Sequence, residues 1–118
     1  MPQGSETERR ERDLAMQEGL KVAVEVPLRT ARLSLEALKV AEVVARHGNP
    51  NSITDVGVGA QIAFTGVKGG LFNVLTNLKD ITDADFAERM RQQCDELESQ
   101  AGRGLEIMDQ LTKEKIGS

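Results

Sequence analysis

Five glycines, Gly57, Gly59, Gly66, Gly69 and Gly70, fall within one helical pattern that runs from the Gly48-Asn49-Pro50-Asn51 turn to Asp80. Each costs roughly 1 kcal/mol against alanine inside a helix. A chain that keeps them needs another body to approach that helix closely. Gly66 and Gly70 are spaced as a small-xxx-small pair, which admits a neighbouring backbone. Gly59, Ile62 or Ala63, Gly66, Gly70, Asn73 and Asn77 recur every three or four residues and are expected to share one face. The approaching body is either a second helix or a flat ligand. The glycines alone favour helix packing. Asn73 and Asn77, one turn apart, add amides that both donate and accept, and these suit the edge of a heterocycle. Such amides buried without partners cost about 1–3 kcal/mol each, so something polar should meet them.

The rest of the pattern is helical. Tyr and Trp are absent and Phe occurs three times, so strand-favouring aromatics are scarce beside Ala, Leu, Glu, Gln, Lys and Arg. Ser5-Glu6-Thr7-Glu8 reads as a capping box and opens a helix with an apolar stripe of Leu14, Ala15, Leu20, Ala23 and Val24. Pro27 removes a helical donor and crowds the carbonyl four residues back, which predicts a kink or break near Glu25-Val26. Leu28, Leu35, Leu38, Val40 and Val43 continue the stripe to Arg46, and Gly48 serves as C-cap. Ser52 or Thr54 caps the glycine helix, with Asp55 in its first turn and an end near Lys79. Thr82, with Asp85 three residues on, caps a last helix from Ala84 to about Lys113. That helix carries Phe86, Met90, Leu97, Leu105, Met108 and Leu111, and Gly102 and Gly104 are expected to fray its end. Short loops between long helices give an all-α, up-and-down antiparallel bundle with a Pro-kinked long helix, read as one domain over residues 1–118.

Several functions are disfavoured. A formal charge of -4 does not suit a nucleic-acid or anionic-membrane surface, and the dispersed Phe residues make no stacking platform. No apolar run reaches membrane-spanning length. The N-terminal stretch lacks the apolar core of a secretory leader, and the single Cys94 cannot form an internal disulfide; both fit a cytoplasmic chain. His47 and Cys94 make no metal cluster. His47 fits a helix-end cation, and Cys94 lacks a histidine partner for nucleophilic work. Gly57-Val58-Gly59 has neither the preceding strand nor the third glycine of a dinucleotide loop. Asp55 is either a dipole-stabilising first-turn acid or a proton-handling carboxylate at the mouth of the glycine groove. Glu25, just before Pro27, is either an exposed surface carboxylate or a side chain that the helix break places for use, and Arg29 and Arg32 are either solvated or placed to attract the anionic tail of a ligand. The charged run from Glu8 to Asp13 reads as a solvated face.

Three ordered blocks carry a resemblance: LAMQEGLKVAVEVPLRTA, HGNPNSITDVGVGA and GGLFNVLTNLKDITDADF. They resemble the cyclodeaminase/cyclohydrolase family of folate enzymes, over about residues 5 to 112. The set E-V-P-L, G-N-x-N-S-x-x-D and N-V-x-x-N-L, in that order, is the specific part. The resemblance implies an all-helical, typically dimeric domain. Its cyclodeaminase members close 5-formimino-tetrahydrofolate to 5,10-methenyl-tetrahydrofolate with loss of ammonia, and its cyclohydrolase members interconvert the methenyl and 10-formyl forms. It implies tetrahydrofolate, in polyglutamate form, as substrate, with no covalent cofactor. Asp55, Asn73 and Asn77 match family positions, with Gly66 and Gly70 in the same groove; Asp55 is the catalytic candidate. The family also has an upstream half with a proline-glycine-glycine-glycine-serine motif and an Asp-x-x-Ala-Phe segment, which holds the aspartate usually assigned to catalysis. Nothing before Ser5 matches these. The chain is therefore expected to be the C-terminal half of such a domain, with exposed apolar faces and a need for a homo-oligomer or a complementary N-terminal half. The alternative is a non-catalytic helical module that pairs with another protein through the glycine face.

Overall fold

Ser5 opens the first helix: its hydroxyl accepts from the Glu8 N–H at 3.2 Å, with Glu6 and Glu8 in the positive first turn. The computed structural model describes residues 4–117, so residues 1–3 and 118 of the expected domain lie outside the described residues. Helix α1 spans Glu6–His47, 42 residues without a break. At 1.5 Å per residue it is about 63 Å long, and it sets the long axis of a 71 × 23 × 17 Å rod. Gly48 closes it by donating its N–H to the Val44 carbonyl at 2.7 Å.

Near Glu25-Val26, where a kink or break is expected, α1 continues without a break, and a second helix meets the group that the proline leaves free. Pro27 has no N–H to offer the carbonyl of Ala23. The side-chain amide of Asn77 donates to that carbonyl instead, at 3.4 Å.

Asn49 accepts from the Asn51 N–H at 3.0 Å and starts a single 3-10 turn, Pro50–Ser52. Helix α2 then spans Ile53–Leu78; Ser52 holds the N-cap position without a side-chain bond, and Thr54 lies inside the first turn. Helix α3 spans Ala84–Ile116, and its cap is Asp83 rather than Thr82: the Asp83 carboxylate accepts from the Phe86 N–H at 3.0 Å. Thr82 is held outside the helix by Gln17 of α1. The Gln17 side chain accepts from the Thr82 N–H at 2.9 Å and donates to the Asp80 carbonyl at 3.0 Å. One amide thus satisfies both sides of the α2–α3 loop. At the other end of α1, the Lys115 ammonium donates to the carbonyls of Ala45 and Arg46, which have no helical partner of their own.

Cross-helix contacts descend α1 as they ascend α2, from Gly66 on Ser34 to Gly70 on Ala31 to Asn77 on Ala23. Gln61–Asp109 and Lys68–Glu98 run α3 back along α2 in the same way. The fold is the all-α up-and-down antiparallel bundle, three helices, with no strand among the described residues. Its core is one cluster that includes Val24, Leu28, Leu35 and Leu38 from α1, Val67, Leu71, Val74 and Leu78 from α2, and Met90, Cys94, Leu97 and Met108 from α3. α3 stays helical past Gly102 and Gly104, and at Gly104 Leu38 packs so closely that a Cβ there would lie 3.1 Å from its Cδ2. Val40 and Val43, expected in the core stripe, are instead 60% and 59% exposed, and Leu14 is also exposed. They lie on a second apolar face of α1 that no other helix covers.

Candidate functional site

The glycine helix meets α1. A Cβ at Gly70 would lie 2.6 Å from the Pro27 carbonyl oxygen and 3.0 Å from the Ala31 Cβ, and one at Gly66 would collide with the Ser34 hydroxyl. These two glycines admit a backbone of the same chain. Gly59 and Gly69 have open space where a side chain would be. The expected single stripe therefore divides. Gly66, Gly70 and Asn77 face α1, whereas Gly59, Ile62 and Asn73 are exposed. Gly57, outside the expected stripe, packs on Thr112 of α3.

The two asparagines have different surroundings. Asn77 is half-buried and bonded to the Ala23 carbonyl, so the polar group expected to meet it is the backbone carbonyl freed by Pro27. Asn73, one turn earlier, is exposed and unbonded, at the same end of the α1–α2 contact. Asp55 is also exposed, in the first turn of α2. Asp55 and Asn73 are eighteen residues apart, about 27 Å along the axis, so they cannot flank one reacting carbon. The outward face between them carries Val58, Ile62 and Phe72, exposed by 60%, 68% and 59%.

A second concavity lies between α1 and α3, a cleft of about 510 Å³ that takes in Glu25, Arg29, Arg32, Phe86, Met90 and Gln93. Arg32 donates to the Gln93 side-chain oxygen. Glu25 and Arg29 make no hydrogen bond or ion pair with other described residues. At its rim Lys21 pairs with Asp83 at 2.8 Å and sits 5.3 Å from the Phe86 ring centre. The hydrogen bond between them holds the Asp83 carboxyl below its ordinary range and the Lys21 ammonium above its own. Glu25, Arg29 and Arg32 are noticeable in the sequence as charges around Pro27. Phe86, Met90 and Gln93 are not, because their partner helix is some sixty residues away in the chain and only the antiparallel return of α3 brings them over.

Cys94 is buried in the core, and burial first, then the neighbouring Asp95 and Glu98, push its thiol pKa up. A thiol held protonated is a poor nucleophile. Among the described residues no three His, Cys, Asp or Glu side chains are grouped to hold a metal, and no helix is long and apolar enough to cross a membrane.

The described residues form an extended three-helix rod whose helix α2 carries an exposed amide, Asn73, and an exposed carboxylate, Asp55, along the face with Val58, Ile62 and Phe72. Residues 1–96 match the sequence pattern of the formiminotransferase-cyclodeaminase family. The chain belongs to that family. It is 34% identical to the methenyltetrahydrofolate cyclohydrolase of Methylorubrum extorquens over 116 residues, which cover 98% of this chain and 56% of that protein. It is 40% identical to the formimidoyltransferase-cyclodeaminase of Rattus norvegicus over 101 residues, 86% of this chain and 19% of that protein. The counterpart in Dictyostelium discoideum is 32% identical over 106 residues, 89% of this chain and 20% of that protein. The chain thus spans about half the length of the cyclohydrolase and about a fifth of the cyclodeaminases.

Proposed function

We propose that this chain works in folate one-carbon metabolism as part of a formimidoyltetrahydrofolate cyclodeaminase, which closes 5-formimino-tetrahydrofolate to 5,10-methenyl-tetrahydrofolate and releases ammonia. The observation that carries the reading is its similarity, across most of its length, to proteins named for cyclodeaminase and cyclohydrolase activities. The cyclohydrolase reaction is the second reading, favoured by the Methylorubrum extorquens relative, of whose length this chain spans 56% against about a fifth of the cyclodeaminases. The substrate is a tetrahydrofolate, with polyglutamate tail, and no covalent cofactor takes part.

We place the folate contact at the Pro27 end of the α1–α2 face. Asn73 offers an unbonded amide to the heterocycle there, and Asn77 holds the proline-containing segment of α1 in shape beside it. Gly66 and Gly70 contribute by letting α1 and α2 close, not by touching ligand. Asp55, at the far end of α2, acts as the first-turn acid of that helix and does not share the contact. Asp55, the carboxylate candidate of α2, lies about 27 Å from Asn73 along the axis, so the proton-moving group of the reaction is assigned to a second chain or segment laid over that face. The chain works in the cytoplasm. The non-catalytic module remains the competing reading, but Gly66 and Gly70 are occupied by α1, so such a module would use another face.

The test is turnover of the methenyl-tetrahydrofolate chromophore by the purified chain, together with fluorescence titration of a tetrahydrofolate analogue against wild type and Asn73→Ala. Binding that weakens about tenfold in Asn73→Ala supports the contact, and equal affinity refutes it. Turnover by the chain alone would refute the assignment of the proton-moving group to a second chain.

A further inference from the structure

We infer that the cleft between α1 and α3 is a binding site for a free α-amino acid with an apolar or aromatic side chain. Glu25 takes the ammonium group, Arg29 and Arg32 take the carboxylate, and Leu28, Phe86 and Met90 take the side chain. The volume of about 510 Å³ lies within the range of small-molecule sites, which are apolar with a few polar groups that fix orientation. Leu28 and Met90 are buried and Phe86 is half-buried, so the floor of the cleft is apolar and already packed. Val22 and Val26 carry that apolar surface to the rim, where they are 62% and 67% exposed.

The charges select the ligand. Glu25 and Arg29 stand four residues apart on one helix, acid first, the order in which such residues ordinarily pair. They do not pair, and neither makes a hydrogen bond or ion pair with any other described residue. Arg32, one turn further on, donates to the Gln93 side-chain oxygen of α3. A guanidinium has five N–H donors, so this bond holds Arg32 across the cleft and leaves donors for a carboxylate. Along α1 the negative group precedes the two positive ones by about 6 Å and about 10 Å. A simple anion would gain the arginines and be repelled by Glu25, and an amine would gain Glu25 and be repelled by the arginines. A molecule with an ammonium next to a carboxylate satisfies both, each through charge-assisted hydrogen bonds. A folate does not fit this description, because its tail ends in carboxylates without an ammonium. The cleft is walled by α1 and α3, whereas Asn73 belongs to α2, so the inference does not depend on the folate contact. An amino acid held here ties α1 to α3 beside Pro27 and stabilises the folded chain by linkage.

The test is isothermal titration calorimetry of the full chain with L-phenylalanine, beside phenylpropionate, which lacks the ammonium, and phenethylamine, which lacks the carboxylate. Backbone amide NMR shifts report where the probe sits. L-Phenylalanine is expected to bind with a submillimolar dissociation constant, about tenfold tighter than either analogue, with the largest shifts at Phe86, Met90 and Gln93. Glu25→Gln should weaken L-phenylalanine about tenfold and leave phenylpropionate unchanged or tighter. Arg29→Gln should weaken L-phenylalanine by a similar factor and leave phenethylamine unchanged or tighter. Both positions are exposed, and circular dichroism checks that the variants keep their helices. No binding up to millimolar concentration, or shifts centred on other residues, overturns the inference. Phenylpropionate binding as tightly as L-phenylalanine, or Glu25→Gln binding as wild type does, overturns it as well and makes the cleft an anion site.

Discussion

Replacing Asn77 with alanine tests whether α1 stays whole because α2 supplies the donor that Pro27 lacks. The Ala23 carbonyl has lost its helical partner, and the Asn77 amide reaches it at 3.4 Å, the long end of a hydrogen bond. A net bond of this kind contributes about 0.5–1.5 kcal/mol, and this length places it near the lower bound. Alanine is also the better helix former by up to ~0.7 kcal/mol, so the single change Asn77→Ala partly hides its own cost. A double-mutant cycle separates the two. In Pro27→Ala, the substituted residue regains an N–H that bonds the Ala23 carbonyl within the helix, and Asn77 becomes redundant. The single Pro27→Ala change should itself stabilise the protein, by up to ~3 kcal/mol if the backbone has no other use for proline there. Urea denaturation of the four proteins should show Asn77→Ala less favourable in the wild-type background than in the Pro27→Ala background, by about 0.5–1 kcal/mol. Equal effects in both backgrounds would refute the reasoning, because the helix-propensity term is the same in each.

Two further results are expected. Gly69→Ala, in open space, should stabilise by about 0.5–1 kcal/mol. Gly70→Ala, with the Pro27 carbonyl 2.6 Å from its new Cβ, should destabilise by about 1–3 kcal/mol through overpacking; thermal melts that rank the pair the other way would remove α1 as the reason for Gly70. Asp83→Asn keeps the α3 cap, since asparagine accepts the Phe86 N–H equally well, but loses the charge that faces Lys21. The depressed Asp83 pKa means its charge contributes above the ordinary aspartate value and stops contributing as pH falls through the lowered one. Wild type should therefore exceed Asp83→Asn in urea midpoint at neutral pH and converge with it in acid, whereas a gap independent of pH would show that the Lys21 pairing is not its source.

The helices themselves are legible because their caps are local. Ser5, Gly48 and Asp55 act within one turn of where they stand, and the sequence places them correctly. The cap of α3 lies one residue from its expected place, since Thr82 and Asp83 are both good caps and only Gln17, sixty-five residues away, decides between them by holding the Thr82 N–H. The core face of α1 differs from expectation at Val40 and Val43. That helix carries apolar residues on two opposite sides, and a 3.6-residue period registers both without saying which one the chain buries. For the candidate site, the glycine spacing correctly announces a close approach. It does not reveal that the approaching body is α1, nor that Asn77 and Asn73 have unlike surroundings, because both depend on the exact rotation of α2 against the proline.

The bond from Asn77 to Ala23 has a consequence for the order in which the protein is made. Pro27 leaves the ribosome about fifty residues before Asn77. Until then the two halves of α1 are joined at a turn whose carbonyl only water can satisfy, so the first third of the nascent chain has reason to bend there. The Ala23 carbonyl acquires its protein donor only once α2 has been synthesised and docked. A site built beside Pro27 is therefore completed late in biosynthesis, and a chain stopped before Asn77 would lack it even with every residue of α1 in place.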